Sequence, residues 1–180
     1  SNDGLFHITR DHGATWTDIT PPDLPEGGRV QFLEPSPHRA GSAYYAVHRF
    51  LLGDYRQYFY RTDDYGETWT LLTDGSNGIP EDWPVRVVRE DPVRRGLLYA
   101  GTEQGMYVSF NDGANWQRLQ LDLPHTYITD LQVQRDRNDL VETMGVEHTT
   151  PCWRMRSTGP RLSVTVQGER SMNQVPTLQA

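Results

Sequence analysis

Cysteine is almost absent from this sequence: among 180 residues, only Cys152 carries a thiol. One cysteine excludes an internal disulfide and a cysteine-based metal site, so Cys152 is most simply a passive residue. Basic side chains are also scarce, with 17 against 24 acidic ones and a formal net charge of −7. This balance argues against a nucleic-acid-binding protein, which needs a basic face to neutralise phosphates.

Long apolar runs and cofactor motifs are missing as well. No run approaches the roughly 20 apolar residues of a membrane span, so we predict none. No Gly-rich loop follows a strand and opens a helix, no Ser/His/Asp set is present, and the histidines show no ligand spacing. We therefore predict neither a cofactor nor a metal ion. The chain begins "SNDGLF", without Met or a charged-then-apolar leader, and we expect it to be a piece of a longer protein.

Aromatic and turn-forming residues are plentiful instead. The chain has nine Tyr, five Trp, 16 Gly and 12 Pro. This mixture is typical of many short strands joined by tight turns. A length of 180 residues suffices for one ordinary domain with a core.

One pattern occurs three times, and we call it the box: Ser/Thr, one residue, Asp/Asn, one residue, Gly, two residues, Trp. The three copies are "TRDHGATW" (residues 9–16), "TDDYGETW" (62–69) and "SFNDGANW" (109–116). A second pattern, Pro-x-Arg-x-Gly-x-x-Tyr, precedes the last two boxes as "PHRAGSAY" (37–44) and "PVRRGLLY" (92–99). The order of motifs is the same in both units, which indicates internal repeats.

Each repeat predicts four short strands. A four-stranded unit recurring every 40–50 residues or so is the signature of a β-propeller blade. We therefore predict an all-β fold of antiparallel four-stranded blades, about two of them complete, in a partial propeller over residues 1–141. The predicted parts are the end of one blade (1–20), two blades (28–73 and 84–121) and the start of another (127–141).

Residues 142–180 break the pattern, since they contain no box. We expect an irregular or disordered tail there. A shifted reading frame or a truncated gene end is an alternative explanation of the same residues.

The box predicts a structural turn between the third and fourth strands of a blade. Its glycine supplies a positive φ, its Asp or Asn accepts backbone amides, its hydroxyl joins that network, and its Trp buries a ring against the neighbouring sheet. Repetition favours this structural role over catalysis or metal binding. The residues concerned are Thr9, Asp11, Gly13, Trp16, Thr62, Asp64, Gly66, Trp69, Ser109, Asn111, Gly113 and Trp116.

The boxes resemble the Asp-box, or bacterial neuraminidase repeat, found in sialidases, xyloglucan-degrading glycoside hydrolases and the luminal domain of sortilin-type receptors. Residues 4–141 resemble bacterial proteins of the sortilin-like branch, often labelled glycosyl hydrolases. The stretches "YRTDDYGETWT" and "VRVVREDPVRRGLLYAGTEQGMYVSFNDGANWQRLQLDLP" carry this resemblance. It implies a propeller and an extracellular or periplasmic location, and it leaves the activity open.

Alternation of strands places the boxes and the Pro-x-Arg-x-Gly turns at one end of each blade. The long connections share the opposite end, and ligand sites favour such loops on a rigid scaffold. We predict that a carbohydrate, protein or peptide ligand binds there. The remaining blades of the parent protein are the other expected partner. The candidate residues are Asp54, Tyr55, Arg56, Glu81, Asp82, Trp83, Glu103 and Gln104.

Two functions remain open from the residues. The first is a non-catalytic binding module, and the alternative is part of a glycoside hydrolase of xyloglucanase rather than sialidase type. A glycosidase usually places two carboxylates across a cleft, for which Asp54 and Asp82 are the weak candidates. No arginine cluster or Tyr–Glu pair supports a sialidase.

Overall fold

The computed structural model describes residues 3–119, 125–135, 139–144, 152–158 and 161–167. The chain divides into two compact units, Ser1–Val85 and Arg86–Ala180. The strands of the first part are β1 (His7–Ile8), β2 (Thr17–Asp18), β3 (Arg29–Pro35), β4 (Ala43–Arg49), β5 (Asp54–Thr62) and β6 (Thr70–Leu71). Those that follow are β7 (Val85–Glu90), β8 (Leu98–Thr102), β9 (Gly105–Ser109), β10 (Gln117–Arg118), β11 (Ile128–Gln134), β12 (Asp139–Met144), β13 (Cys152–Thr158) and β14 (Arg161–Gln167).

Neighbours in sequence are neighbours in the sheets. The strands form a two-stranded sheet, β1-β2, and three four-stranded sheets, β3-β4-β5-β6, β7-β8-β9-β10 and β11-β12-β13-β14. Among the described residues the only helical segment is one 3-10 turn, Phe50–Leu52, and no helix there is long and apolar enough to cross a membrane. The predicted fold class, all-β with four-stranded propeller-type blades, is confirmed.

The third four-stranded sheet differs from the expectation of an irregular tail after residue 141. Strand β12 runs on to Met144, and β13 pairs with β14 from Cys152↔Gln167 to Thr158↔Arg161. The physical reason is local: the alternation at Leu162, Val164 and Val166 suits a strand, and it lies within β14. The remainder of residues 142–180 lies outside the described residues.

Aromatic side chains fill the core of the first unit. Tyr45 and Val47 on β4 pack with Tyr58 and Tyr60 on β5, and Phe6, Leu24, Val30 and Trp69 close around them. Tyr45 and Tyr60 are direct cross-strand partners, which is the arrangement by which aromatic pairs stabilise a sheet. In the second unit, β8 and β9 are buried along their whole length. Gly101 on β8 lies against Ile128 on β11, where an added Cβ would come within 2.7 Å of it.

Each box forms the turn before the last strand of its sheet, as the sequence predicts. In the second box, Gly66 N donates to Thr62 Oγ1 (2.8 Å), and Asp64 Oδ1 accepts from Thr68 N (2.9 Å). The Thr68 hydroxyl donates to Asp64 Oδ2 at 2.6 Å. Thr15 occupies the same place in the first box, and its hydroxyl also donates to the box carboxylate. The box pattern does not include these two threonines.

The turn also contains a second left-handed residue, which the sequence did not indicate. Tyr65 has φ of +62° and Gly66 has φ of +88°. The amide of this left-handed residue reaches the Pro-x-Arg-x-Gly turn, because Tyr65 N donates to Gly41 O at 2.9 Å. In the next sheet Asp112 N donates to Gly96 O at 3.0 Å. The prediction that the two motifs share one end of a blade is therefore confirmed.

The three box tryptophans have different surroundings. The ring of Trp69 lies 5.8 Å from that of Tyr45, and its Nε1 donates to Ile19 O at 2.8 Å. Trp116 is 4% exposed, but Trp16 is 61% exposed. The prediction of a buried ring is wrong for Trp16, because its sheet has only two strands among the described residues and offers no surface like that of β4.

We expect Gly66→Ala to lower the free energy of unfolding by about 3 kcal/mol, from left-handed strain plus a clash. An added Cβ would come within 2.4 Å of Ile19 Cδ1. The matched control is Gly53→Ala, since Gly53 has φ of +74° but nothing within 4 Å of its Cβ position. It should cost only about 1 kcal/mol. Equal losses in urea unfolding would contradict the packing assigned to Gly66.

We also expect the Asp64 carboxylate of the second box to make the free energy of unfolding depend on pH in the acid range. The Thr68 hydroxyl and amide lower the pKa of Asp64 to about 2. A carboxyl of depressed pKa contributes stability above its unfolded pKa of about 3.9, and that contribution disappears as the pH falls towards 2. Asp64→Asn should flatten the fall in unfolding free energy between pH 4 and 2.

Asn111 supplies the reciprocal control for this acid dependence. It occupies the same position in the third box and accepts from Asn115 N at 2.9 Å without a charge. Asn111→Asp should therefore steepen the same fall in a urea titration. Slopes that are identical in all three proteins would rule out the linkage.

Candidate functional site

The candidate site lies at the end of the first four-stranded sheet that is opposite the boxes. Here the connection from β4 to β5 meets the linker that leaves β6. An open cleft of about 530 Å³ lies between them, lined by Gly53, Asp54, Tyr55, Arg56, Glu81 and Asp82. We call it the β4–β5 cleft.

The side of the cleft formed by Asp54, Tyr55 and Arg56 is more ordered than an inserted loop. Strand β5 begins at Asp54, so these three residues are the first three of the strand and not part of the connection. The connection itself is the 3-10 turn Phe50–Leu52 closed by Gly53, whose φ is +74°. Asp54 then pairs across the sheet with Arg49, which fixes its position.

Asp54 is the polar centre of this side. Its carboxylate accepts from Arg56 Nε and Nη2 (3.0 Å each), from Arg49 Nε (3.2 Å) and from the Tyr58 hydroxyl (2.6 Å). The Asp54 side chain is only 15% exposed, and that of Arg49 is 11% exposed. Arg49 also donates to the carbonyls of Pro25, Glu26 and Gly27, so it ties the preceding linker to the same carboxylate.

These contacts decide what Asp54 can do chemically. The Arg56 guanidinium above all, with Tyr58 and Arg49, holds the pKa of Asp54 well below its usual range. Burial, helped by the hydrogen bond to Asp54, raises the pKa of Tyr58 to about 12. Asp54 therefore stays ionised, and an ionised carboxylate cannot donate a proton to a glycosidic oxygen. Its carboxylate therefore serves to hold Arg49, Arg56 and Tyr58 in place.

The other side of the cleft is a well-held linker with exposed carboxylates. Gln57 Nε2 on β5 donates to Pro80 O, and Trp83 N donates to the same carbonyl at 3.1 Å. This turn presents Glu81 and Asp82 to solvent. Trp83 is half-buried and does not line the cleft.

Apolar surface borders the same cleft. Tyr55 is 62% exposed and is one of the lining residues. Leu51 and Leu52, on the 3-10 turn just before Gly53, are 81% and 60% exposed. The cleft therefore combines an aromatic face with a guanidinium and two carboxylates.

The last two candidate residues belong to the second unit. Glu103 accepts from Arg86, whose Nη2 lies 2.6 Å from Glu103 Oε1, and the Arg86 guanidinium lies over the Tyr127 ring. Gln104 N donates to Thr102 Oγ1 at 3.1 Å within the tight turn between β8 and β9. Of the eight candidates, the cleft brings together Asp54, Tyr55, Arg56, Glu81 and Asp82.

Two residues of the site were missed from the sequence, Arg49 and Tyr58. Neither stands in a motif. Arg49 faces Asp54 through the pairing of β4 with β5, and Tyr58 reaches Asp54 along β5 itself, four residues away. Their only signal in the sequence is a place on the strands that flank the connection. Within the described ranges, no three His, Cys, Asp or Glu residues are grouped so that they would hold a metal ion.

Comparisons with known proteins point to one class of enzyme fold. No protein-family model matches the chain. It is 24% identical over 121 residues to a probable oligoxyloglucan-reducing end-specific xyloglucanase of Neosartorya fischeri, a match that covers 66% of the chain. The crystal structure of an ancestral GH74 enzyme superposes with a TM-score of 0.65 at 16% identity over 94% of the chain. The GH74 xyloglucanase of Xanthomonas campestris gives 0.67 at 13% identity over 98%.

These likenesses establish a fold that the chain shares with GH74 enzymes. The chain spans 15% of the length of the curated relative and 25% and 28% of the two solved structures. The resemblance of the boxes to the bacterial neuraminidase repeat, and of the chain to sortilin-like proteins, stays a prediction.

We expect Asp54→Asn to lower the free energy of unfolding by about 2–3 kcal/mol, because it leaves the buried Arg49 guanidinium without its anion. Glu81→Gln is the control: it removes an exposed carboxylate from the same cleft and should change stability by less than about 0.5 kcal/mol. Urea unfolding at pH 7 measures both. An Asp54→Asn protein as stable as the control would show that the ion pairs do not hold this end of the sheet.

Proposed function

We propose that this chain is part of a β-propeller glycoside hydrolase acting on a xyloglucan, and that its β4–β5 cleft holds a stretch of the glucan. The observation that supports this most directly is the exposed Tyr55 ring beside Arg56, Glu81 and Asp82 in one open cleft. The shared fold of the GH74 enzymes and the xyloglucanase relative add to it.

The chemistry of the cleft suits a sugar polymer. The apolar face of a pyranose ring packs on an exposed aromatic ring, while its hydroxyls donate to carboxylates and accept from a guanidinium. Tyr55 offers the ring, Glu81 and Asp82 the acceptors, and Arg56, whose side chain is 59% exposed, the donors. The cleft is open to solvent rather than enclosed, which suits a polymer better than a small metabolite.

The proposed role is to hold substrate rather than to transfer a proton. A glycosidase needs a carboxylic acid of raised pKa opposite a second carboxylate. The pKa of Asp54 is lowered instead, and its acceptor sites are filled by Arg49, Arg56 and Tyr58. In this proposal Asp54 is therefore not the proton donor, and Asp82 is available to substrate hydroxyls.

A non-catalytic module that binds carbohydrate or peptide is the second candidate function. The same saturated Asp54 favours it, because such a surface needs no proton donor. The two functions differ in the release of reducing ends from xyloglucan by the parent protein. For a function that uses a polymeric glycan we propose an extracellular or periplasmic location, because such polymers lie outside the cytoplasm.

The experiment measures the affinity of the chain for xyloglucan oligosaccharides by titration calorimetry. We expect Tyr55→Ala to weaken binding about tenfold, since loss of one stacked ring costs about 1.4 kcal/mol. Phe110→Ala is the matched control, because Phe110 is 49% exposed and is not among the residues that line the cleft.

Three outcomes separate the functions. If both variants and the unchanged chain bind the oligosaccharides with equal affinity, the β4–β5 cleft is not the binding site. Binding without reducing-end release by the parent protein would favour the non-catalytic module. Release that persists when Asp54 is replaced by Asn would agree with a proton donor elsewhere.

A further inference from the structure

The segment between β6 and β7, residues 72–84, contains a chemically labile pair, and we call it the β6–β7 linker. Asn77 is followed by Gly78, and no other asparagine of the chain is followed by glycine. A backbone nitrogen can attack the side-chain carboxamide of the asparagine that precedes it, and a side chain on the attacking residue obstructs the approach. Glycine has no side chain, so this obstruction is smallest at an Asn-Gly pair.

The fold leaves the attacking nitrogen accessible. The β6–β7 linker is described throughout and contains neither strand nor helix, so no ladder of backbone hydrogen bonds engages its amides. Gly78 is exposed and has φ of +115°. Within the described part of the chain, no group accepts a hydrogen bond from the Gly78 amide. That nitrogen is therefore open to solvent, as the attack requires.

The Asn77 side chain also holds the linker together. Its Nδ2 donates to the carbonyl of Leu72, the first residue after β6. This bond closes residues 72–77 into a loop. Gly75 in that loop packs against Glu81, where an added Cβ would lie 3.0 Å from Glu81 Cβ. The bond therefore makes the attack wait for local opening of the linker, and its loss removes a support of Glu81.

We propose that Asn77 is a site of spontaneous deamidation, and that its conversion loosens the linker that carries Glu81 and Asp82. The Gly78 nitrogen attacks Asn77 Cγ, the Cγ–Nδ2 bond breaks, and the proton of the Gly78 nitrogen leaves with Nδ2 as ammonia. Water then opens the five-membered imide at either carbonyl. One opening gives aspartate, and the other links the chain through Cγ as isoaspartate. Water is the only co-reactant.

Both products remove the donor that faces the Leu72 carbonyl. An ionised carboxylate only accepts hydrogen bonds, so it cannot replace the Asn77 amide. It also adds a negative charge to a linker that already carries Asp74, Glu81 and Asp82. Isoaspartate adds one atom to the backbone as well. The linker should therefore open more often, while the paired strands β4 and β5 stay as they are.

The first test follows the reaction by mass in the full chain, aged in mildly alkaline buffer and then digested with trypsin. The peptide of residues 62–86 contains no other asparagine and no glutamine, so a conversion of amide to acid there reports Asn77 alone. We expect it to accumulate at least about tenfold faster than in the peptide of residues 96–118, because the attack at Gly78 is unobstructed. A sample digested without ageing corrects for conversion during digestion.

The second peptide is an internal control. It contains Asn115, which is exposed like Gly78 but precedes the bulky Trp116. Asn77→Gln is the control variant: it keeps a carboxamide but would have to close a six-membered ring, and its peptide should gain no mass over the same period. Equal rates in the two peptides, or an equal gain in Asn77→Gln, would overturn the proposal.

The second test measures what the conversion does to the linker. Ser76 N donates to Asp74 Oδ1 at 2.9 Å and Trp83 N to Pro80 O at 3.1 Å, so both amides have protection to lose. We expect their hydrogen exchange to be about tenfold faster in Asn77→Asp than in the unchanged chain.

The amide of Tyr45 in the core should exchange at the same rate in both proteins, which shows that the fold is kept. Asn115→Asp adds the same charge outside the linker and should leave exchange at Ser76 and Trp83 unchanged. The aged chain gives the comparison without any substitution. Linker exchange that is the same in Asn77→Asp, in the aged chain and in the unchanged chain would overturn the loosening.

Discussion

In the three sheets that carry a box, a side-chain hydroxyl accepts the amide of a glycine four residues later, and the turn into the last strand depends on this hydrogen bond. It occurs as Thr9 to Gly13, Thr62 to Gly66 and Ser109 to Gly113, at 2.8, 2.8 and 2.9 Å. It holds two consecutive left-handed residues in place, a conformation that most side chains resist. The turn so formed returns the chain to the sheet and sets the direction of the tryptophan that follows.

The same turn connects neighbouring parts of the repeat. One amide of the box bonds the Pro-x-Arg-x-Gly turn of its own sheet, as Tyr65 does to Gly41. Its tryptophan reaches beyond that sheet, as Trp69 does to the carbonyl of Ile19. Local hydrogen bonds therefore place a large ring at the junction of two sheets, where its burial contributes most. Trp16 lacks such a junction among the described residues, and its ring is exposed to solvent.

A rigid box end leaves the opposite end of the sheet free to vary. This end contains the 3-10 turn and Asp54. Ion pairs of Asp54 with Arg49 and Arg56 hold it, in place of a repeated hydrogen-bonded turn. The bidentate contact from Arg56, with Arg49 and Tyr58, is a charge-assisted network that few exposed loops possess. Because Asp54 is used up in this way, Tyr55, Glu81 and Asp82 are the groups that remain for a ligand.

The sequence by itself determined the order of strands, the place of each box and the end of the blade at which the cleft lies. These depend on contacts within about four residues and on the alternation of strands, both of which a sequence displays directly. Only the tertiary structure decided that Arg49 pairs with Asp54 across two strands, that Trp83 stays out of the cleft, and that Trp16 is exposed. Those outcomes depend on pairing between strands and on which strands a sheet contains, and no local pattern records either.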